Sequence, residues 1–357
     1  MSFEIQQNVG LAEFTTFKIG GKACFFVLAS DESEVLRALE FAEEKALKIF
    51  ILGGGSNVLI ADEGFDGLVL KIALKGITLS TQDSETVFVT ARAGEDWDEF
   101  VAFCTEKNLQ GFECLSGIPG LVGGTPVQNV GAYGQEVSDT IISVRCFDRN
   151  TKKFVELSNA ECGFSYRASI FNTIEKNRYI ILSVTYKLRF GGEPIIAYRD
   201  LQNLFGGKKP TLQETREAVL GIRRSKSMVI DKNDINSRSA GSFFKNPIVS
   251  REKFAEIKKI AANLKIESLP HFIVDEKSVK IPAAWLIEKA DFYKGFALGK
   301  VGLSTNHTLA VVNRANATAQ EILDFKCEIQ KKVKERFHIE LQPEPVFVGF
   351  EKPERHC

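Results

Sequence analysis

The stretch Ser239-Ala240-Gly241-Ser242-Phe243-Phe244-Lys245-Asn246-Pro247 sets a hydroxyl among small residues and follows it with two aromatics, a lysine and an amide. Gly241 lets backbone or ligand approach Ser242, Phe243 and Phe244 could exclude water, and Lys245 and Asn246 could meet an anion or amide, as around a buried proton donor. Taken by itself, a serine after a glycine is more simply a helix cap or turn residue. Tyr166-Arg167-Ala168-Ser169 places a phenol beside a guanidinium. Arg167 could make a two-pronged bond to a carboxylate, although a surface Tyr-Arg pair is the commoner explanation. Glu344, between Pro343 and Pro345, is fixed in extended backbone, where a lone glutamate is usually solvated.

Two glycine-rich segments add a second kind of chemistry. Leu52-Gly53-Gly54-Gly55-Ser56-Asn57 puts three glycines at a strand end, where bare backbone could turn N–H groups toward a phosphate; a plain turn fits as well. The spacing is not GxGxxG followed by a helix, because Val58-Leu59-Ile60 continues as strand, which argues against a Rossmann site. Ser116 to Gly134 holds six glycines and two prolines in nineteen residues while staying apolar. Such a segment can run flat against a large planar ligand, with Ile118 or Val130 stacking on it; a tightly packed long loop is the alternative.

The composition removes other classes. Lys plus Arg equals Asp plus Glu at 46 each, so no overall field draws in nucleic acid or an anionic membrane, and any anion must be met by local groups. The four histidines form neither HExxH nor a close pair, and the seven cysteines are widely spaced without a CxxC, so no metal site is expected. There is no GxSxG or Walker motif. The N-terminus lacks the basic start and apolar core of a signal peptide, and no stretch is apolar for the length of a membrane span, so a cytoplasmic protein is expected.

The elements that must position these residues are legible in outline. With 357 residues, two or three domains are expected. Ser30 to Ser33 offers helix-start chemistry ahead of an apolar helical face, and a buried strand follows at 48–52. Short strands are predicted at 58–60, 68–72 and 87–90, a helix from Asp96 to Asn108, and strands near 141–147, 153–157 and 179–189, the first two of these joined by an Asp148-Arg149-Asn150-Thr151 turn. Beyond about residue 210, helical periods at 211–225, 250–264, 282–290 and 318–336 and shorter strands near 309–312 and 345–348 suggest a second α+β domain. The charged run from Lys331 to Arg336 reads as the wet face of the last helix.

Together LGGGSNVL (52–59), IPGLVGGTPVQNVGAYG (118–134), SYRAS (165–169), GSFFKNP (241–247) and QPEP (342–345) resemble the UDP-N-acetylenolpyruvoylglucosamine reductase family, over nearly the whole chain. The resemblance implies an α+β protein with an FAD-binding fold of the vanillyl-alcohol-oxidase type. Residues 1–222 would bind the cofactor in two subdomains, about 1–75 and 76–222. Residues 223–357 would bind substrate, with the last residues packing back on the first domain. It further implies non-covalent FAD, NADPH as co-substrate, UDP-N-acetylglucosamine enolpyruvate as substrate and a monomer without nucleic acid or membrane partners.

Carried over by motif, Gly53, Gly54, Gly55, Ser56, Asn57 and Val58 would hold the FAD pyrophosphate. Ile118, Pro119, Gly123, Gly124, Gln128, Asn129, Gly131, Ala132 and Tyr133 would follow its isoalloxazine. Ser242 would be the proton donor, with Arg167 and Glu344 gathered at the substrate carboxylate. Lys226, Arg223 and Asn246 would meet the diphosphate. Tyr198, in IAYRDL, matches the tyrosine of the subgroup that closes an extra loop over the nucleotide, and Tyr166 would line the flavin and nicotinamide pocket. The segment after Lys226 lacks the prolines of many relatives, and no ligand role is assigned to Asn306 or His307. A related FAD oxidase would share the flavin loops but not GSFFKNP or the Glu344 segment. A sensor that had lost turnover should show a damaged catalytic set.

Overall fold

The computed structural model describes residues 3–350. The chain forms two compact units. The first comprises the segment up to Val9, Ala23–Gly55 and Asp66–Val229; the second comprises Gly10–Lys22, Ser56–Phe65 and the chain from Ile230 onward. The division therefore falls at Val229, seven residues beyond the boundary read from the sequence, and the second unit also recruits two early segments. Of the expected packing of the last residues, 351–357 lie outside the described part.

Among the described residues the first unit holds two larger sheets and a two-stranded one, Gly131–Ala132 with Gln135–Glu136. In one of the larger two, the strands Gln6–Gly10, Lys22–Ala29, Phe65–Ile72 and Ile49–Leu52 lie in that order, the last two parallel. The helix Glu32–Glu44 connects the sequence-adjacent strands, and Asp31 caps it by accepting from the Glu34 N–H at 2.9 Å. The other larger sheet is antiparallel, ordered Lys153–Ser158, Ile141–Asp148, Tyr179–Phe190, Thr86–Arg92 and Ile77–Thr81. Four of these strands match the predicted ranges closely, Ile77–Thr81 being unanticipated, because alternating side chains mark them: Thr86–Arg92 buries Val87, Val89 and Ala91 and leaves the residues between them half-buried.

The helix Trp97–Glu106 lays Trp97 and Phe100 against Phe112 and Tyr186, four rings whose centroids lie 5.2 to 6.1 Å apart. This cluster underlies the long glycine segment. The Tyr186 hydroxyl, fully buried, shares a 3.1 Å hydrogen bond with Thr125, and the Trp97 ring N–H donates to the Leu115 carbonyl at 3.1 Å. The unit closes with the short helix Arg199–Phe205 and the helix Leu212–Ser225, whose Thr211 and Glu214 form a reciprocal cap.

The second unit is built from small sheets and three helices, Arg251–Asn263, Ala283–Glu288 and Ala319–Phe337. Its core gathers Phe17, Phe243, Phe244, Phe325 and Phe337. Strand Val346–Val348 runs parallel to Val58–Ile60, so the segment after the triglycine pairs with the segment after QPEP. Asp62 accepts from Ala319 N–H at 2.8 Å and Gln320 N–H at 3.2 Å, which satisfies the open start of the last helix. That helix turns Val333 inward and leaves Lys331 and Lys334 exposed, as a solvated charged face requires. Among the described residues no helix is long and apolar enough to cross a membrane.

Candidate functional site

The two glycine-rich segments meet in the first unit. A Cβ on Gly54 would lie 2.7 Å from the Gly120 Cα, and one on Gly123 would lie 2.6 Å from the Ala93 Cβ. Only glycine permits either approach. A Cβ on Gly53 or on Gly124 would instead meet nothing within 4 Å, so at these two positions bare backbone faces room. This arrangement of interlocked glycines beside open glycines fits a cofactor with a pyrophosphate and a flat ring.

The long segment is strapped down along its length. Gly123 N–H donates to Ala93 and Val122 N–H to Glu95, each at 2.9 Å, while Trp97 N–H donates to Gly120 at 3.1 Å. Asp98 receives the Gly117 N–H at 2.6 Å and the Arg216 guanidinium at 2.5 and 3.0 Å, tying the segment's start to two helices. Burial raises the Asp98 pKa, but the bonds from Arg216 and Gly117 outweigh it and hold the carboxyl below its ordinary value. Asn129 is almost fully buried: its amide donates to Glu136 at 2.7 Å and to the Ser165 carbonyl at 3.2 Å, and its oxygen accepts from Ser138 N–H. Its side chain is thus a brace between the glycine segment and the Tyr166-Arg167 turn, which leaves backbone as its means of reaching a cofactor.

Arg167 sits in that turn, closed by reciprocal main-chain bonds between Ser165 and Ala168. Its φ of 54° is left-handed, a conformation that costs a non-glycine residue of the order of 1 kcal/mol or more. Its guanidinium donates to the Gly131 carbonyl at 2.7 Å and lies 5.3 Å from the centre of the Tyr166 ring. Arg167 and Tyr166 are therefore held against the part of the glycine segment assigned to the isoalloxazine.

Several residues expected to bind substrate also converge in the first unit. Tyr133 meets Tyr198 edge-on with ring centroids 5.3 Å apart, and the Lys226 ammonium lies 6.0 Å from the Tyr133 ring centre. Lys226 also pairs with Asp200 at 3.2 Å, two residues on from Tyr198. Gly134, with φ 88°, lets the Ile196-Ala197-Tyr198 strand of chain come close, since a Cβ there would lie 2.9 Å from that of Ala197. Arg223 is half-buried near Tyr133 and donates to the Met228 carbonyl at 2.7 Å; burial lowers its pKa, opposed by Tyr133 and Asp98.

In the second unit, GSFFKNP and QPEP run side by side. Glu344 N–H donates to the Phe243 carbonyl at 2.8 Å, Lys245 N–H to the Gln342 carbonyl at 2.9 Å, and Phe244 bridges Pro343. Ser242, half-buried, follows Gly241 at φ 71° and stands next to the residue that receives the Glu344 amide. Phe243 and Phe244 do not form a water shield over Ser242, as the sequence suggested; both rings are core anchors, edge-on to each other at 5.2 Å. Adjacent residues can both be buried because the segment is irregular rather than a strand. Asn246 uses its oxygen to accept from Ala283 N–H at 2.8 Å, at the start of a helix. Asn57 belongs to this unit too, and its amide donates to the Glu344 carbonyl at 3.2 Å. Ser242, Glu344, Asn246 and Asn57 are thus in the second unit, and Arg167, Tyr166, Tyr198, Arg223 and Lys226 in the first.

A residue the sequence reading passed over is Lys71, whose ammonium donates to the Gly53 carbonyl at 2.9 Å. Its signal was a lone charge within the apolar run Leu68-Val69-Leu70-Lys71-Ile72.

The family described as FAD binding domain matches residues 23–158. With the mixed helix and strand content this gives the chain an FAD-binding domain within an α+β fold, as the motifs implied. The C-terminal domain family of UDP-N-acetylenolpyruvoylglucosamine reductase matches residues 233–348. A protein of that name from Thermobifida fusca is 42% identical over 98% of this chain and 99% of its own length. Another from Streptomyces coelicolor is 44% identical over 95% of this chain and 89% of its own. The chain belongs to the UDP-N-acetylenolpyruvoylglucosamine reductase family. The crystal structure of such a reductase from Thermus caldophilus shares the fold, with a TM-score of 0.63 at 23% identity over 98% of this chain and 99% of that one.

Proposed function

We propose that the protein reduces UDP-N-acetylglucosamine enolpyruvate to UDP-N-acetylmuramate in the cytoplasm, using NADPH and FAD, in the synthesis of peptidoglycan precursors. The observation that carries the catalytic reading is the backbone pairing of GSFFKNP with QPEP, which holds Ser242 and Glu344 on neighbouring segments about a hundred residues apart in sequence. Kinship with reductases along nearly the whole chain supports the substrate.

FAD held by Gly53 to Val58 and the 118–134 segment would supply hydride transfer from NADPH to the terminal enolpyruvyl carbon. The adjacent carbon is left with carbanion or enolate character, and Ser242 protonates it. A serine hydroxyl is a poor acid near neutrality, so the negative charge must be stabilised by other groups. Arg167 offsets the growing charge on the substrate carboxylate, and Glu344 holds a polarising hydrogen bond or proton there. Lys226 and Asn246 meet the diphosphate, Tyr198 closes over the nucleotide, and Arg223 supports Tyr133. Gly53 to Val58 and the 118–134 segment hold the cofactor.

An anaerobic absorbance experiment tests this. The purified protein should show a flavin spectrum that bleaches on NADPH and recovers on addition of UDP-N-acetylglucosamine enolpyruvate. Recovery only with air would favour an oxidase instead.

A further inference from the structure

We infer that Lys71 is a positioning residue for the cofactor's pyrophosphate: its ammonium holds the Gly53 carbonyl and so sets the direction in which the triglycine turn presents its N–H groups. The inference rests on the assignment of Gly53 to Val58 to the FAD pyrophosphate.

Lys71 lies on strand Phe65–Ile72, directly across the parallel pair from Leu52, the last residue before the turn. Its neighbours Leu70 and Ile72 and its partner Leu52 are buried, so the strand fixes where the side chain starts. From there Nζ reaches the Gly53 carbonyl at 2.9 Å. A trans peptide points its C=O and N–H in opposite directions, and the structure has no cis peptide among the described residues. Anchoring the Gly53 oxygen on Lys71 therefore aims the Gly54 N–H away from the lysine. A glycine turn without such an anchor would sample many peptide orientations, and ordering it would cost binding free energy when the anion arrives. Gly54, interlocked with Gly120, fixes one side of the peptide, and Lys71 fixes the other.

A lysine suits the task because its charge also favours a nearby anion. Burial lowers the Lys71 pKa, with the neighbouring Lys75 adding to the effect, so an approaching pyrophosphate would stabilise the protonated form.

The test is FAD affinity, measured on the deflavinated full chain by quenching of flavin fluorescence, with the melting temperature of the same flavin-free proteins read in parallel. Lys71→Met should weaken FAD binding about tenfold or more, while Lys71→Arg, which can still donate to Gly53, should stay within about threefold of the parent. Lys71→Gln keeps a neutral donor and should weaken binding at least threefold, which serves if Lys71→Met does not fold. Unchanged FAD affinity in Lys71→Gln or Lys71→Met would overturn the inference, as would a loss that merely parallels a fall in flavin-free melting temperature and is not rescued by arginine. Gly54→Val separates the underlying assignment: if it leaves FAD affinity intact, the turn is not the pyrophosphate site and the inference fails with it.

Discussion

The side-chain amide of Asn57 donates to the main-chain carbonyl of Glu344 at 3.2 Å, across 287 residues of sequence, and the Asn57 carbonyl accepts from Val346 N–H at 3.0 Å. The end of a segment assigned to the flavin is thereby tied to a residue assigned to the substrate. Asn57→Ala removes one of these bonds, a loss of about 1 kcal/mol. Reoxidation of the reduced flavin by substrate should slow by up to about fivefold, with reduction by NADPH less affected because the role proposed for Glu344 lies in the second step. Stopped-flow absorbance separates the two, and equal rates to the parent in both would show that the tie does not matter to Glu344.

Ser242 gives a sharper separation. Replacing it by alanine removes the proposed proton donor but leaves Gly241, the two phenylalanine anchors and the pairing with QPEP in place. NADPH should bleach the flavin of Ser242→Ala at nearly the parental rate, while recovery on substrate should fall by roughly two to four orders of magnitude. A comparable loss in both half-reactions would assign Ser242 to cofactor geometry. Cysteine at the same position, a stronger acid of similar size, should restore part of the second step.

Much of this was legible before the structure. The helices beginning at Trp97, Leu212 and Ala319 sit where caps and apolar spacing placed them, because Asp96, Thr211 and Thr318 each accept from an N–H of the first turn. The motif residues themselves were found by their unusual composition. What stayed hidden is what depends on long-range packing. Phe243 and Phe244 look like pocket walls in a local reading, yet the core that claims them includes Phe17, and they meet it only after folding. Asn129 and Asn246 also use side-chain atoms on partners that sequence adjacency does not reveal, Ser165 and Ala283. Likewise the recruitment of Gly10–Lys22 and Ser56–Phe65 by the second unit leaves no local mark, since each is a short piece between strands of the first.

The cluster around Tyr133 predicts opposite responses from two neighbouring residues. Lys226→Ala should raise the KM for the uridine diphosphate substrate, by about tenfold or more if a charge-assisted contact is lost, with flavin reduction by NADPH intact. Asp200→Asn frees Lys226 from its half-exposed partner. Such pairs are worth about 0.2–1 kcal/mol, so KM should fall, by up to about fivefold. A rise in KM on Asp200→Asn would mean that the pair organises the site rather than competing for it. On the proposal that Arg223 supports Tyr133, Tyr133→Phe, which deletes only the hydroxyl, should reproduce part of the effect of Arg223→Met on KM. Independent, additive effects of the two substitutions would sever that link.

The turn at Asp148 makes the fold's stability depend on pH in a direction that can be worked out. Asp148 accepts Arg178 through two bonds of 3.0 and 2.9 Å, the Asn150 N–H at 3.0 Å and the Thr151 hydroxyl at 3.0 Å. The Arg178 bonds foremost hold its carboxyl well below the ordinary carboxylate range. In the unfolded chain an aspartate titrates near about 3.9. The folded state therefore binds its proton less readily, and the stabilisation is fully present above that value and lost as pH falls through it toward the folded pKa. Asp148→Asn should lower the urea midpoint at pH 7 relative to the parent. Between pH 4 and pH 2 that gap should narrow, because the unfolded parent takes up a proton on Asp148 there while the folded carboxylate, held by Arg178, does not. A gap that stays constant across this range would mean that the turn owes its stability to the neutral hydrogen bonds and not to the charge.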